Sequence, residues 1–514
     1  MKKYVLLAFS LLAQISIAWP QKAKSNNQAE IIYHVCQRSF YDSNGDMQGD
    51  LNGLKGKLNY LQDLGVTAIL LLPLYDADLY HNYFANNFEK IDAEFGTMQD
   101  YISLAKDVHK RGMKIYLDME TQYVTEKHLW WKDAVGNLQS PYSDYILFDD
   151  TAHKTPASMV FNLRELRGYD GSVLKGTTVN LKSKKVLDYN IRLFSFFLDP
   201  NKDGKFDDGA DGFRLDHAMN NLDYKPALYN LFAIFWKPLL TYLKKINPNI
   251  KVVAEQADWK DYGFDYFENA GVDRMFGFNM QQAILSFDKQ QLINKADTTL
   301  RLCPKGKEQI IFLENHDMDR LASVEKNIEK QKIAAALMML IGGVPSIYYG
   351  QEIGMQGKTG TFGNTDGNGI PVREAFEWYK SVEGKGMAIW YKNTGEWWDK
   401  TNLKANDGIS LEEQSNDISS LFNFYKKLIR LKQNNPALAN GTYENAGNNN
   451  NKVFSFYRTY KYKKVLVAVN LSDEKQNTVF LESYKNYIPL FGKNRVRNKS
   501  IQLNPYEVAV FEIK

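Results

Sequence analysis

The chain has 514 residues, 44% of them hydrophobic, with 64 Lys and Arg against 60 Asp and Glu, a formal net charge of +4. That length allows two or three domains with ample core, and the near-neutral balance without long basic runs argues against a nucleic-acid partner. Aromatic residues reach 13%. Such a content fits rings stacked on sugar faces and equally an ordinary large core.

The first residues read as an export signal. Lys2 and Lys3 precede an uncharged, mostly apolar run from Tyr4 to Ile17, and Ser16-Ile17-Ala18 offers small residues for cleavage. Residues 1–18 are therefore expected to be removed from an exported protein, periplasmic or secreted. The run is short for a membrane span and no stable membrane anchor is expected. Cys36 and Cys303 are expected to be thiols rather than a disulfide pair.

Downstream, apolar runs alternate with amphipathic stretches. Ile31 to Val35, Val66 to Leu72 and Lys114 to Leu117 read as strands, with helices at Leu51 to Leu64 and Met98 to Arg111. An irregular stretch, residues 119–183, is too long for a simple connection and reads as an inserted subdomain. Alternation resumes with a helix at Lys184 to Leu198, a strand up to Asp216, and strands at Lys251 to Glu255, Arg274 to Phe278, Gln309 to Leu313 and Val344 to Tyr349. Eight strand–helix units spell a (β/α)8 barrel of the α/β class, residues 19–118 and 184–439. Alternating apolar residues at 440–514 read as an antiparallel β-sandwich.

Three carboxylates stand at or just past the ends of apolar runs: Asp216 in Gly212-Phe-Arg-Leu-Asp216, Glu255 in Val252-Val-Ala-Glu255, and Asp317 after Asn315-His316. Arg214 and Asp216 share a strand face, so the guanidinium keeps that carboxylate ionised, as a nucleophile requires. Glu255 closes an apolar strand, where burial raises the pKa and holds a proton near neutral pH. The segment Asp42-x-Asn44-x-Asp46-x-Gln48-x-Asp50 spaces oxygen donors at alternate positions. Such a loop can wrap a hard cation such as Ca2+, with Gln48 giving its carbonyl. Trp378, Trp390, Trp397 and Trp398, four of nine Trp, fall in one irregular loop and are expected to form a sugar-stacking platform.

With these residues placed, the chain resembles the α-amylase family, glycoside hydrolase family 13. The likeness runs through Ser39 to Leu51, Tyr80-His-Asn-Tyr83, Glu94-Phe-Gly-Thr97, Gly212 to Asp216, Glu255, Asn315-His-Asp317 and Gly343-Val-Pro-Ser-Ile-Tyr-Tyr-Gly350. The early motif is similar to oligo-1,6-glucosidases and neopullulanase-like members. The resemblance implies Asp216 as nucleophile, Glu255 as general acid/base, and Asp317 and His316 gripping the reacting sugar. It further implies His81 and Tyr83 as substrate contacts and Arg373 as a residue ordering the rim. An α-amylase acting on starch or malto-oligosaccharides is the first expectation. An α-glucosidase, a neopullulanase, a transglycosylase or a non-catalytic glucan-binding relative are the alternatives. One departure is evident: Gln122-Tyr123 stand where the family carries Asn-His.

Overall fold

The computed structural model describes residues 29–361 and 365–514. The expected signal segment lies outside them. Eight parallel strands close into a barrel: β1 (Ile32–Val35), β2 (Ala68–Leu71), β3 (Lys114–Met119), β4 (Gly212–Leu215), β5 (Lys251–Ala254), β6 (Arg274–Phe276), β7 (Glu308–Ile311) and β8 (Val344–Tyr348). β8 pairs back onto β1, so the barrel has no free edge.

The period-two alternation of the strands sorts their side chains into two cores. Ile32, Ala68, Leu70, Tyr116, Val253, Phe276, Ile310 and Val344 fill the barrel interior. Their neighbours Tyr33, Ile69, Leu71, Ile115, Phe213, Val252 and Ile311 face the surrounding helices. Most of the strands are apolar on both faces for this reason, as a parallel sheet wrapped by helices demands, while β4 contributes Gly212 and Arg214 in place of an apolar interior face.

The helices follow their amphipathic stretches, with one difference. The expected helix over Leu51 to Leu64 is two, Leu51–Gly56 and Leu58–Leu64, joined at Lys57. The first ends at Gly56, where Lys57 leaves helical geometry at φ −102° and ψ 6°. After β3 the chain leaves the barrel and builds a three-stranded antiparallel sheet from Tyr123–Thr125, Val173–Thr178 and Glu165–Arg167.

Beyond the barrel, Thr442–Asn445, Val453–Tyr460, Lys463–Asn470, Val508–Ile513 and Tyr487–Phe491 form a five-stranded antiparallel sheet. One face, with Phe454, Phe456, Val465, Val467 and Val510, joins the main core. The other, with Val453, Tyr457, Leu466 and Phe511, packs with Ile501 and Leu503 of a two-stranded sheet and with Phe480 just past its first strand. Cys36 and Cys303 are unpaired thiols. Among the described residues, no helix is long and apolar enough to cross a membrane.

Candidate active site

The C-terminal ends of the barrel strands open into a cleft of about 460 Å3. His81, Tyr83, Asp216, Glu255, Asp317 and Arg373 all line it. One wall, with Val160, Phe161, Leu163 and Leu166, comes from the inserted subdomain, and Thr359, Gly360, Thr365, Asp366 and Asn368 contribute to the rim.

The register of the strands explains the convergence. Asp118 on β3 stands opposite Arg214 on β4, which stands opposite Val253 on β5. Gly212 allows β4 and β5 to pair closely: a Cβ there would sit 1.9 Å from the carbonyl oxygen of Lys251. Directly after Asp216, His217 takes a left-handed φ of 44°, which ends the strand and leaves the Asp216 side chain at the rim.

Arg214 is the hub. Its side chain is 2% exposed. Nη1 donates to both oxygens of Asp118, at 2.9 and 2.8 Å, and also to Asp216, while Nη2 donates to Glu255. Burial opposes ionisation of Asp216, but Arg214 and a hydrogen bond from Glu120 outweigh it and hold its pKa below the usual carboxylate value. Burial pushes Glu255 up to about 8; the negative charges of Asp216 and Asp317 add to the rise and Arg214 opposes it. Burial likewise raises Asp118, to about 6 against the pull of Arg214. The two carboxyl groups read from sequence as nucleophile and acid are therefore driven in opposite directions by their surroundings.

Asp317 is held by the other side of the site. Its Oδ2 lies 2.9 Å from His316 Nε2 and its Oδ1 accepts from Arg373 Nη2 at 3.0 Å. Those two neighbours overcome burial and keep Asp317 ionised well below the usual range. Arg373 is buried rather than a mere rim residue. It also donates through Nε to the His316 carbonyl at 2.9 Å and through Nη1 to the Tyr80 hydroxyl at 2.9 Å. The Tyr83 hydroxyl donates to Asp118 at 2.7 Å and lies 2.7 Å from His316 Nε2; its ring stacks on His316 with centroids 5.4 Å apart. His81 Nδ1 accepts the Tyr83 N–H at 3.1 Å, and burial and Arg373 drive the His81 pKa well down, which keeps the ring neutral.

The structure adds members that the sequence reading passed over. Asp118 is the last residue but one of β3 and faces Arg214 across the β3–β4 pairing. Glu120 lines the cleft beside Asp216. Trp259 donates through Nε1 to Glu255 Oε1 at 3.3 Å and stacks on Phe278 at 4.7 Å. Its signal, a lone Trp four residues past a strand-end Glu, is faint. The four-Trp loop corrects an expectation. Trp378 is buried against Phe40, Tyr60 and Phe376, and Trp390 is buried against Tyr80, so both are core. Trp397 lies against Gly367 and Trp398 against Tyr391; none of the four lines the cleft. Gln122 spends its amide internally, donating to the His217 carbonyl at 3.4 Å and accepting the Thr121 N–H at 2.9 Å. Tyr123 lines the cleft with its hydroxyl on Asp223.

The acidic loop winds on itself. Asp42 accepts from the N–H groups of Asn44, Gly45 and Met47, Asn44 Oδ1 from Asp46 N, and Asp46 from Gln48 N. Gln48 turns its side chain to Arg38 and Glu94. Asp50 caps the following helix through Gly53 N and also binds Ser43. Among the described residues, no group of three or more His, Cys, Asp or Glu stands ready to hold a metal. The oxygens of Asp42, Asn44 and Asp46 on one short turn are nevertheless hard donors of the kind calcium takes.

Comparison with known proteins agrees with this geometry. Residues 34–441 match the family model for the α-amylase catalytic domain, and residues 453–510 match the α-amylase SusG C-terminal domain. The chain is 28% identical over 495 residues to α-amylase 3 of Dictyoglomus thermophilum, covering 94% of this chain and 93% of that one. It is 28% identical over 518 residues to a probable oligo-1,6-glucosidase 3 of Bacillus subtilis, covering 86% and 90%. The fold superposes on the crystal structure of α-amylase from H. orenii with a TM-score of 0.78 at 25% identity, covering 95% of this chain and 100% of that one. Barrel, strand-end carboxylates and family match together place the chain in the α-amylase family, glycoside hydrolase family 13, as an α-glucan hydrolase.

Proposed function

We propose that the protein is an exported α-amylase that cleaves α-1,4-glucosidic bonds of starch or malto-oligosaccharides with retention of configuration. The observation that carries the mechanism is the single guanidinium of Arg214 bridging Asp216 and Glu255 at the floor of the cleft. One side chain spanning both carboxyl groups favours the close spacing of retaining enzymes, about 5–5.5 Å, over the wider gap that an inverting enzyme leaves for water.

Asp216, ionised, attacks the anomeric carbon while Glu255 gives its proton to the departing glycosidic oxygen. The carbon–oxygen bond breaks and a glycosyl ester forms on Asp216. Glu255, now a carboxylate, takes a proton from water, whose oxygen attacks the same carbon and frees Asp216. Asp317 accepts hydrogen bonds from sugar hydroxyls, and His316 and Arg373 fix its orientation. Tyr83 offers its ring as a stacking surface, and neutral His81 hydrogen-bonds the same sugar. The polymer preference draws on the likeness to the Dictyoglomus α-amylase. Export draws on the Lys2-Lys3 and apolar segment of the sequence. A calcium ion on Asp42, Asn44, Asp46 and the Gln48 carbonyl, with Asp50 closing the loop, would rigidify the segment before the first barrel helix.

Product chromatography tests the reading. The protein without residues 1–18 is incubated with soluble starch, maltoheptaose, pullulan and isomaltose, beside a Glu255→Gln control. Mixed malto-oligosaccharides from starch, absent in the control, are expected. Glucose alone would replace the reading with an exo-acting α-glucosidase, and panose from pullulan with a neopullulanase. No product from any substrate would overturn hydrolysis in favour of a glucan-binding role.

A further inference from the structure

Glu120 is 1% exposed and lies in the cleft wall next to Asp216. Its backbone N–H donates to the Tyr75 hydroxyl oxygen at 2.6 Å, and its Oε1 accepts the Gln122 N–H. Its Oε2 is buried and receives no N–H or O–H donor. The carboxyl of Asp216 is within hydrogen-bond reach. The titratable groups facing Glu120 are Tyr75 from the segment after β2, Asp118 at the end of β3, Tyr123 from the inserted subdomain and Asp216 from β4. None of these is a cation. Arg214, one residue-layer away, is committed to Asp118, Asp216 and Glu255.

Two buried carboxyls in contact do not both ionise; they share one proton. Arg214 already compensates charge on Asp216, whereas among the described residues no cation pairs with Glu120. A proton on Glu120 also resolves the orphaned Oε2, since an O–H there donates to Asp216.

We propose that Glu120 is a positioning residue that stays protonated in the working enzyme and donates a hydrogen bond to Asp216, fixing the nucleophile together with Arg214. The proposal rests on Asp216 being the nucleophile. The proton is not transferred during the reaction. The bond disperses charge on the Asp216 carboxylate, which slows its attack slightly and makes it a better leaving group when water cleaves the glycosyl ester. Burial and the charge of Asp216 raise the Glu120 pKa strongly, in agreement.

Difference infrared spectroscopy of the resting protein against Glu120→Gln at neutral pH tests the proton. Loss of a protonated-carboxyl band is expected; loss of an ionised-carboxylate band would overturn the proposal. Kinetics test the role. Glu120→Leu, which cannot donate, is expected to lose about 10- to 100-fold in kcat, the worth of a hydrogen bond to a charged group. Its acid limb of kcat/KM should move to higher pH, because Asp216 loses a donor to its ionised form. Glu120→Gln, which keeps a donor, should recover most of the rate and restore the acid limb. Equal losses in the two variants, or none in Glu120→Leu, would overturn the role. The infrared measurement needs no substrate and no Leu variant, so it stands even where that variant does not fold. Full activity in Asp216→Asn would remove the nucleophile reading while leaving the proton assignment to be decided by the spectrum.

Discussion

The two ends of the barrel are built around the same device, a buried arginine among carboxylates, with opposite results. At the N-terminal end, Arg274 on β6 donates to Glu30 at 2.5 Å and to Glu308 at 2.9 Å, and Lys114 on β3 reaches Glu30 at 2.7 Å. Two cations meet two carboxylates. Burial opposes it, but Arg274 and Lys114 bring Glu30 down to about 2. At the C-terminal end, Arg214 alone meets Asp118, Asp216 and Glu255, with Glu120 beside them. Carboxylates outnumber the cation. They cannot all ionise, so Asp216 keeps the charge while Glu255 rises to about 8. A balanced cluster holds a fold together; a surplus of one sign stores protons at chosen atoms.

The largest expected effect strikes the charged member of the surplus. Asp216→Asn should lower kcat by about 10^4- to 10^6-fold, the scale seen when a nucleophile acting within a unit is removed. Circular dichroism and melting should stay close to the parent protein. A loss below tenfold, measured on maltoheptaose, would deny Asp216 its role.

Swapping the arginines separates the two ends. Arg274→Met leaves Glu30 short of a partner and should cost about 3 kcal/mol of stability, read from urea unfolding, while kcat of the folded fraction holds. Arg214→Met should remove most activity. Its stability cost should be smaller than its catalytic one, because the uncompensated carboxyls there can take up protons instead. Equal stability losses from both would erase the distinction.

The pH dependence carries opposite signs at the two ends. Glu30 is lowered, so its contribution is fully present above about pH 4.5 and is lost as pH falls through 4.5 toward about 2. Glu255 is raised, so the native state holds a proton that the unfolded chain has released between about pH 4.5 and 8, and stability falls as pH rises through that window. Melting of Glu255→Gln should therefore gain on the parent at pH 8 relative to pH 5.

Much of this was readable in advance. Most strands announced themselves as apolar runs, with Asp216 and Glu255 directly after β4 and β5 and Asp317 in the loop that follows β7. The structure adds which strand ends share a centre. Asp118 stands one residue inside the end of β3 and Asp216 one residue past the end of β4, and the register across β3 and β4 brings Asp118 onto Arg214. Glu120 sits past the end of its strand, where sequence periodicity carries no information about direction. The Trp loop misled because abundance of an aromatic type says nothing of which way the rings face; Trp378 and Trp390 donate their N–H groups to Phe40 and Ser39 inside the core. The break after Gly56 was not legible: the apolar spacing runs on through it and predicts one helix over Leu51 to Leu64.

The smallest expected effect concerns the acidic loop. Chelation should lower the melting temperature by about 1 °C, on the order of 1 kcal/mol. Asp42→Ala should abolish that shift. An unchanged melting curve on chelation would remove calcium from the account.

The central claim is that burial, reinforced by surplus negative charge at the catalytic end, keeps a proton on Glu255. The most direct measurement is the pH profile of kcat/KM for the parent and Glu255→Gln on two substrates. One is maltoheptaose; the other is an aryl α-maltoside whose phenolate leaves without protonation. The parent should show an alkaline limb near pH 8 on maltoheptaose. Glu255→Gln should lose about 10^2- to 10^4-fold on maltoheptaose, keep the aryl substrate's bond cleavage, and show no limb near pH 8. An alkaline limb that persists unchanged in Glu255→Gln would contradict the account, because the proton it reports would then sit elsewhere.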